Sequence, residues 1–120
     1  MNGEVDGSGR ALLTVRARPT EDAKASELTV WVDTAFTGDL VIPRRTIQSL
    51  GLPQSAAVMA GLADGTQAVL ESYSCFIEWF GGWRLVEVIE SGGQSPLLGV
   101  GLLRDQRLEI DYRSRRVAID

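Results

Sequence analysis

Asp33 stands at the end of an alternating run, residues 28–32. Thr34 and Ala35 follow it, and the chain continues through Phe36-Thr37-Gly38-Asp39 into Leu40-Val41-Ile42. A carboxylate held at a strand end with a hydroxyl beside it is equipped for acid–base chemistry. The sequence contains no histidine, which removes a Ser-His-Asp triad, a histidine-activated thiol and the usual zinc ligand sets. Carboxylates, hydroxyls and backbone amides are the groups that remain. The single cysteine, Cys75, sits between Ser74 and Phe76 in a strand-like run and reads as a small buried packing residue. One cysteine allows neither an internal disulfide nor a thiolate cluster. The acidic pairs Glu87 with Glu90 and Asp105 with Glu109 read as solvated faces, because neither lies in a ligand-rich loop of the calcium-binding kind. No metal and no cofactor is expected.

The elements that must position Asp33 follow from periodicity. Leu28, Val30 and Val32 share one face of a strand, while Thr29, Trp31 and Asp33 share the other, so the strand delivers the carboxylate opposite its aliphatic stripe. Leu13, Val15 and Ala17 alternate with polar residues in an earlier strand, and residues 19–26 read as a polar loop. Pro43 fits the first turn of a helix over residues 44–50, with Gly51 suited to a left-handed cap. Strands over 56–62 and 67–73 flank Ala63-Asp64-Gly65-Thr66, where Asp-Gly is a hairpin signal. A second hairpin pairs 74–80 with 83–89 around Gly81-Gly82, and after a loop Leu97-Leu98-Gly99 leads into a short helix over 100–104. Leu108, Ile110 and Tyr112 alternate with charged residues, and a turn at Arg113-Ser114 returns the chain through Val117 and Ile119. Residues 1–9 are polar and glycine-containing and read as a flexible leader.

Composition bounds the rest. With 120 residues, 44% of them hydrophobic, the chain is the size of one domain with one core. The 13 glycines against 4 prolines, with many short Val, Ile, Thr and Leu runs, favour strands and tight turns, hence a mainly β fold. A net charge of −4, with basic residues dispersed and not interleaved with aromatics, argues against nucleic acid as a partner. No apolar run approaches the roughly 20 residues that span a bilayer. The start Met1-Asn2-Gly3-Glu4 lacks a basic-then-apolar signal, so the expectation is a soluble, cytoplasmic chain with no membrane partner.

Asp-Thr-small is a loose pattern alone, but its context is specific. An apolar strand, Asp33-Thr34-Ala35, a second apolar strand, a tight hairpin roughly thirty residues on and Leu97-Leu98-Gly99 before a short helix follow one another. This order resembles the retropepsin-like aspartic proteases, the single-domain group of retroviral proteases and bacterial relatives, over roughly residues 10–120. The run Asp33-Thr34-Ala35-Phe36-Thr37-Gly38-Asp39-Leu40-Val41-Ile42-Pro43, the helix ending Leu50-Gly51-Leu52, and Pro96-Leu97-Leu98-Gly99 with Leu108-Glu109-Ile110-Asp111 bring it nearest the bacterial branch.

The resemblance implies a closed β-barrel of the acid protease fold with one or two short helices and a flap hairpin, working as a two-fold homodimer. It implies an endopeptidase in which a water held between Asp33 of two subunits attacks the peptide bond of an extended peptide or protein substrate. Two carboxylates about 3 Å apart share one proton and titrate as a unit. Asp33, Thr34 and Ala35 would form the catalytic motif, Thr34 bonding across the two-fold axis. Phe36, Thr37, Ala63, Asp64, Gly65, Leu97 and Leu98 would contact substrate, the middle three from the flap tip. Arg116 and the residues after it are candidates for the dimer contact, as in retroviral relatives.

Two positions depart from the family pattern: Val100 stands where retroviral members carry an arginine after the late glycine, and Ala35 stands where the family has glycine. A methyl there fits if the local φ is negative and costs about 1 kcal/mol or more per subunit if it is positive. Two alternatives stay open at this level: a catalytically impaired peptide-binding or dimerisation module of the same fold, and a small β-barrel of purely structural role.

Overall fold

A computed structural model of the chain describes residues 1–61 and 64–120. Ten strands and two short helices are present among the described residues: β1 (Asn2–Val5), β2 (Ala11–Arg18), β3 (Ser26–Val32), β4 (Leu40–Pro43), α1 (Arg44–Leu50), β5 (Gln54–Gly61), β6 (Gln67–Trp79), β7 (Gly82–Ser91), β8 (Leu97–Leu98), α2 (Val100–Leu103), β9 (Leu108–Asp111) and β10 (Arg116–Ile119). The fold is mainly β, as composition implies. One sheet runs β5-β6-β7-β4-β8-β3-β2-β1-β10-β9, and β6 also pairs with β2 through Ala17 with Ile77 and Arg18 with Phe76.

Period-two alternation decides which side chains fill the interior. Leu13, Val15 and Ala17 of β2 and Leu28, Val30 and Val32 of β3 are buried, and so are Ile77 and Trp79 of β6 and Val86 and Val88 of β7. Cys75 joins them as a packing residue with no exposed surface, and burial pushes its thiol up to about 12. Helix α1 lays Ile47 on this core and ends at Gly51, whose φ of 68° is the left-handed conformation read from the sequence. No helix among the described residues is long and apolar enough to cross a membrane.

Four expectations are corrected. The segment read as a flexible leader contains β1, paired with β2 on one edge and β10 on the other, with Val5 buried. The Met1 ammonium donates to the Ile119 carbonyl (2.6 Å), and the Ile119 N–H donates to the Met1 carbonyl (2.8 Å). A strand of four residues has too little alternation to announce itself, and its partner β10 lies at the other end of the chain. Residues 67–73 and 74–80 are not separate strands: β6 is one strand of 13 residues shared by two hairpins. The β6–β7 turn falls on Phe80-Gly81, whose φ values of 50° and 82° meet the two-residue hairpin's demand for left-handed backbone. Pro43 closes β4 as the residue before α1, extended at ψ 146°, instead of opening the helix.

Both edges of β10 are bonded within the chain, which leaves β5 and β9 as the outer strands of the sheet. Ala63, and Leu62 at the expected end of a strand, lie outside the described residues.

Candidate active site

Strand β3 buries Val30 and Val32 and turns Trp31 outward, 40% exposed, and the residue that follows the strand has its side chain half-buried. That residue is Asp33. Its N–H donates to the Leu98 carbonyl (2.9 Å), its carbonyl accepts from the Phe36 N–H (3.3 Å), and its Oδ1 accepts from the Ala35 N–H (2.9 Å). The carboxylate is therefore oriented by its own loop while the backbone is anchored to β8.

Strand β8 is the keystone of this arrangement. It lies between β3, which it joins in parallel, and β4, which it joins antiparallel, so Leu98 pairs with both Val32 and Leu40. Leu98 and Leu40 are fully buried, and burial of a side chain of that size is worth about 1.5–3 kcal/mol. Beyond it, the N–H groups of Gly99, Val100 and Gly101 donate to the carbonyls of Asp39 (2.8 Å), Phe36 (2.8 Å) and Gly38 (2.9 Å). A Cβ on Gly99 would strike the Phe36 ring and lie 2.7 Å from the Phe36 carbonyl oxygen, so only glycine lets the two segments approach this closely.

The structure gathers some of the sequence-nominated residues and separates others. Thr34, Ala35 and Thr37 are exposed on the loop beside Asp33. Ala35 does not have a positive φ, so its methyl carries no left-handed backbone strain. A cavity of about 350 Å³ is lined by Trp31, Val32, Asp33 and Leu97. Leu97 therefore shares that cavity with Asp33, whereas the Leu98 side chain is fully buried in the core. Phe36 is half-buried with its ring against Gly38 and Gly99. Asp64 and Gly65 form a turn, with Asp64 Oδ1 accepting from the Thr66 N–H (3.0 Å) and hydroxyl (2.6 Å) and Gly65 at φ 86°. Neither residue is among those lining the Asp33 cavity.

Trp31 escaped the sequence reading of the site, although its place two residues before Asp33 on the same face was the available signal. The Arg10 guanidinium stands 5.7 Å from its ring centroid. Arg10 is held in turn by Asp6 (2.7 Å) and by a long contact to the Ser95 hydroxyl (3.5 Å). The wall beside Asp33 is thus apolar and aromatic, with one cation at its rim that already has a carboxylate partner.

No protein-family model and no curated protein matches the chain. Among solved structures it is similar to a retropepsin-like aspartic protease from Rickettsia conorii, with a TM-score of 0.68 and 14% identity over 99% of this chain and 88% of that one. It is also similar to EIAV protease complexed with the inhibitor HBY-793, with a TM-score of 0.61 and 16% identity over 83% of this chain and 90% of that one. A third is the retroviral protease-like domain of Ddi1 from Leishmania major, with a TM-score of 0.50 and 18% identity over 91% of this chain and 88% of that one. Identities this low speak to architecture, and what they establish is that this chain has the fold of the retropepsin-like aspartic proteases.

Proposed function

We propose that the chain is an aspartic endopeptidase, active as a homodimer, that hydrolyses extended peptide segments with a water held between Asp33 of two subunits. The observation that carries this reading is Asp33 itself: a half-buried carboxylate oriented by the Ala35 N–H and opening on the cavity lined by Trp31 and Leu97, in a retropepsin-like fold. One carboxylate does not serve as both acid and base on the same water, so a second copy supplies the other. One Asp33 takes a proton from the water as it attacks the scissile carbonyl carbon. The other protonates the carbonyl oxygen, and the departing amine collects its proton as the tetrahedral intermediate breaks down.

Thr34 and Ala35, exposed in the single chain, face the partner in this reading, and the Thr34 hydroxyl bonds across the axis. The β6–β2 pairing supports a sheet closed into a barrel in this reading. The hairpin of β5 and β6 closes over the substrate as a flap, with Asp64-Gly65 near its tip and backbone groups adding to the substrate as a strand would. Trp31 and Leu97 receive a bulky apolar substrate side chain beside the scissile bond.

The deciding experiment assays wild type, Asp33→Asn and Ala35→Gly on a peptide library between pH 4 and 7, with dimer content followed by sedimentation. Asp33→Asn is expected to lower cleavage by about 10²–10⁴-fold, and equal activity in wild type and this variant would sink the proposal. Ala35→Gly is expected to cleave like wild type. Hydrolysis gained only in Ala35→Gly would instead favour the non-catalytic module.

A further inference from the structure

A second carboxylate belongs to the same loop and has other neighbours. Asp39, half-buried, closes the loop where it enters β4. Its Oδ2 accepts from the Glu87 N–H on β7 (3.1 Å), and its carbonyl accepts from the Gly99 N–H (2.8 Å). The first β4–β7 rung pairs Leu40 with Val88, so the Asp39 side chain continues that ladder by one further bond, beyond the point where β4 backbone is available. A Cβ on Gly101 would strike Asp39 Oδ1 and lie 2.9 Å from the Gly38 carbonyl carbon and oxygen, so glycine at 101 is what admits this carboxylate.

The three backbone bonds from Gly99, Val100 and Gly101 hold the loop to α2 alone. The β4–β7 ladder ties the chain to β7 only from Leu40 onward, after the loop has ended. The bond from Asp39 to Glu87 runs in a different direction, onto the long β6–β7 hairpin, and a charged acceptor makes it stronger than a neutral one. We propose that Asp39 is a positioning residue for Asp33: its carboxylate pins the return of the catalytic loop to β7, and Gly101 is the space that allows it. The inference rests on the reading of Asp33 as the reacting carboxylate, but not on cleavage for its test.

Full-length wild type, Asp39→Ala, Asp39→Asn and Gly101→Ala are compared. Without substrate, amide hydrogen exchange at Glu87, Gly99 and Gly101 and the carboxyl ¹³C signal of Asp33 are read. With substrate, kcat and KM are read. Asp39→Ala is expected to speed exchange at these amides, to move the Asp33 signal and to lower kcat about tenfold with KM nearly unchanged. Asp39→Asn keeps an acceptor oxygen and is expected to restore most of each effect. Gly101→Ala, which displaces the carboxylate without deleting it, is expected to follow Asp39→Ala and serves where Asp39→Ala does not fold. An Asp33 signal that stays at its wild-type position while Glu87 loses protection would overturn the proposal, as would Asp39→Asn behaving like Asp39→Ala throughout. A chain that never cleaves would defeat the protease reading, while the substrate-free signals would still judge Asp39.

Discussion

The loop that carries Asp33 and the turn at Asp64-Gly65 are both short, polar and glycine-containing, yet they are held in different ways. Residues 33–39 keep local bonds from the Ala35 and Phe36 N–H groups to Asp33 but are also fixed from a distance: Leu98, Gly99, Val100 and Gly101 supply backbone partners, and the Glu87 N–H donates to the Asp39 carboxylate. The turn is fixed from within, by the Asp64 carboxylate on Thr66 two residues away and by left-handed backbone at Gly65. A carboxylate that meets a counterpart, as proposed for Asp33, needs tethers beyond the local bond from the Ala35 N–H. A turn that only has to reverse a hairpin needs local chemistry alone.

Glycine substitutions break this comparison most directly. Gly99→Ala forces a methyl into the Phe36 ring and carbonyl, and overpacking of this kind costs about 1–3 kcal/mol and displaces the site loop. Thermal unfolding should register the loss, and cleavage should fall further than stability explains. Gly65→Ala has open space around the new methyl but φ of +86°, so a cost of about 1–2 kcal/mol is expected, with Asp33 undisturbed. Equal effects of the two on the Asp33 environment, read by NMR, would erase the distinction.

Trp31→Ala tests the wall next to the fixed carboxylate. About a tenfold drop in kcat/KM is expected for peptides with a bulky apolar residue beside the scissile bond, and little change for those with a small one. A uniform drop across the library would make Trp31 a packing residue only.

The smallest effect is a pH dependence confined to the turn. The Thr66 hydroxyl, and then its N–H, hold the Asp64 carboxyl below its ordinary 3.8. A folded value below the unfolded one means that the stabilisation is present above the ordinary value and lost as the pH falls through the lowered one. Acidification from about pH 5 to about pH 2 is therefore expected to speed amide exchange at Thr66. The bonds at Gly99, Val100 and Gly101 join backbone to backbone and should keep their protection over the same range until global unfolding. Simultaneous loss in both regions would contradict the difference in how they are held.

Much of the scaffold was legible in the residues. Alternation placed Leu28, Val30 and Val32 inside and Trp31 outside, which is enough to put Asp33 at the end of β3. Gly51 and Gly65 announced their left-handed positions because a local backbone demand has a local residue signature. The retropepsin-like fold followed from the order of such segments. The leader that is β1, the single long β6 and the turn at Phe80-Gly81 were not legible, since each depends on a register set by strands distant in the chain.

The same division runs through the site. The sequence by itself determined which carboxylate ends the strand and which hydroxyl and methyl follow it, because strand periodicity acts over neighbouring residues. Only the tertiary structure decided that Leu97 faces the cavity while Leu98 is core, that Phe36 packs against Gly38 and Gly99, that Ala35 sits without left-handed strain, and that Asp39 reaches Glu87. Those outcomes depend on β8 being threaded between β3 and β4, a contact between segments some sixty residues apart that no local propensity encodes.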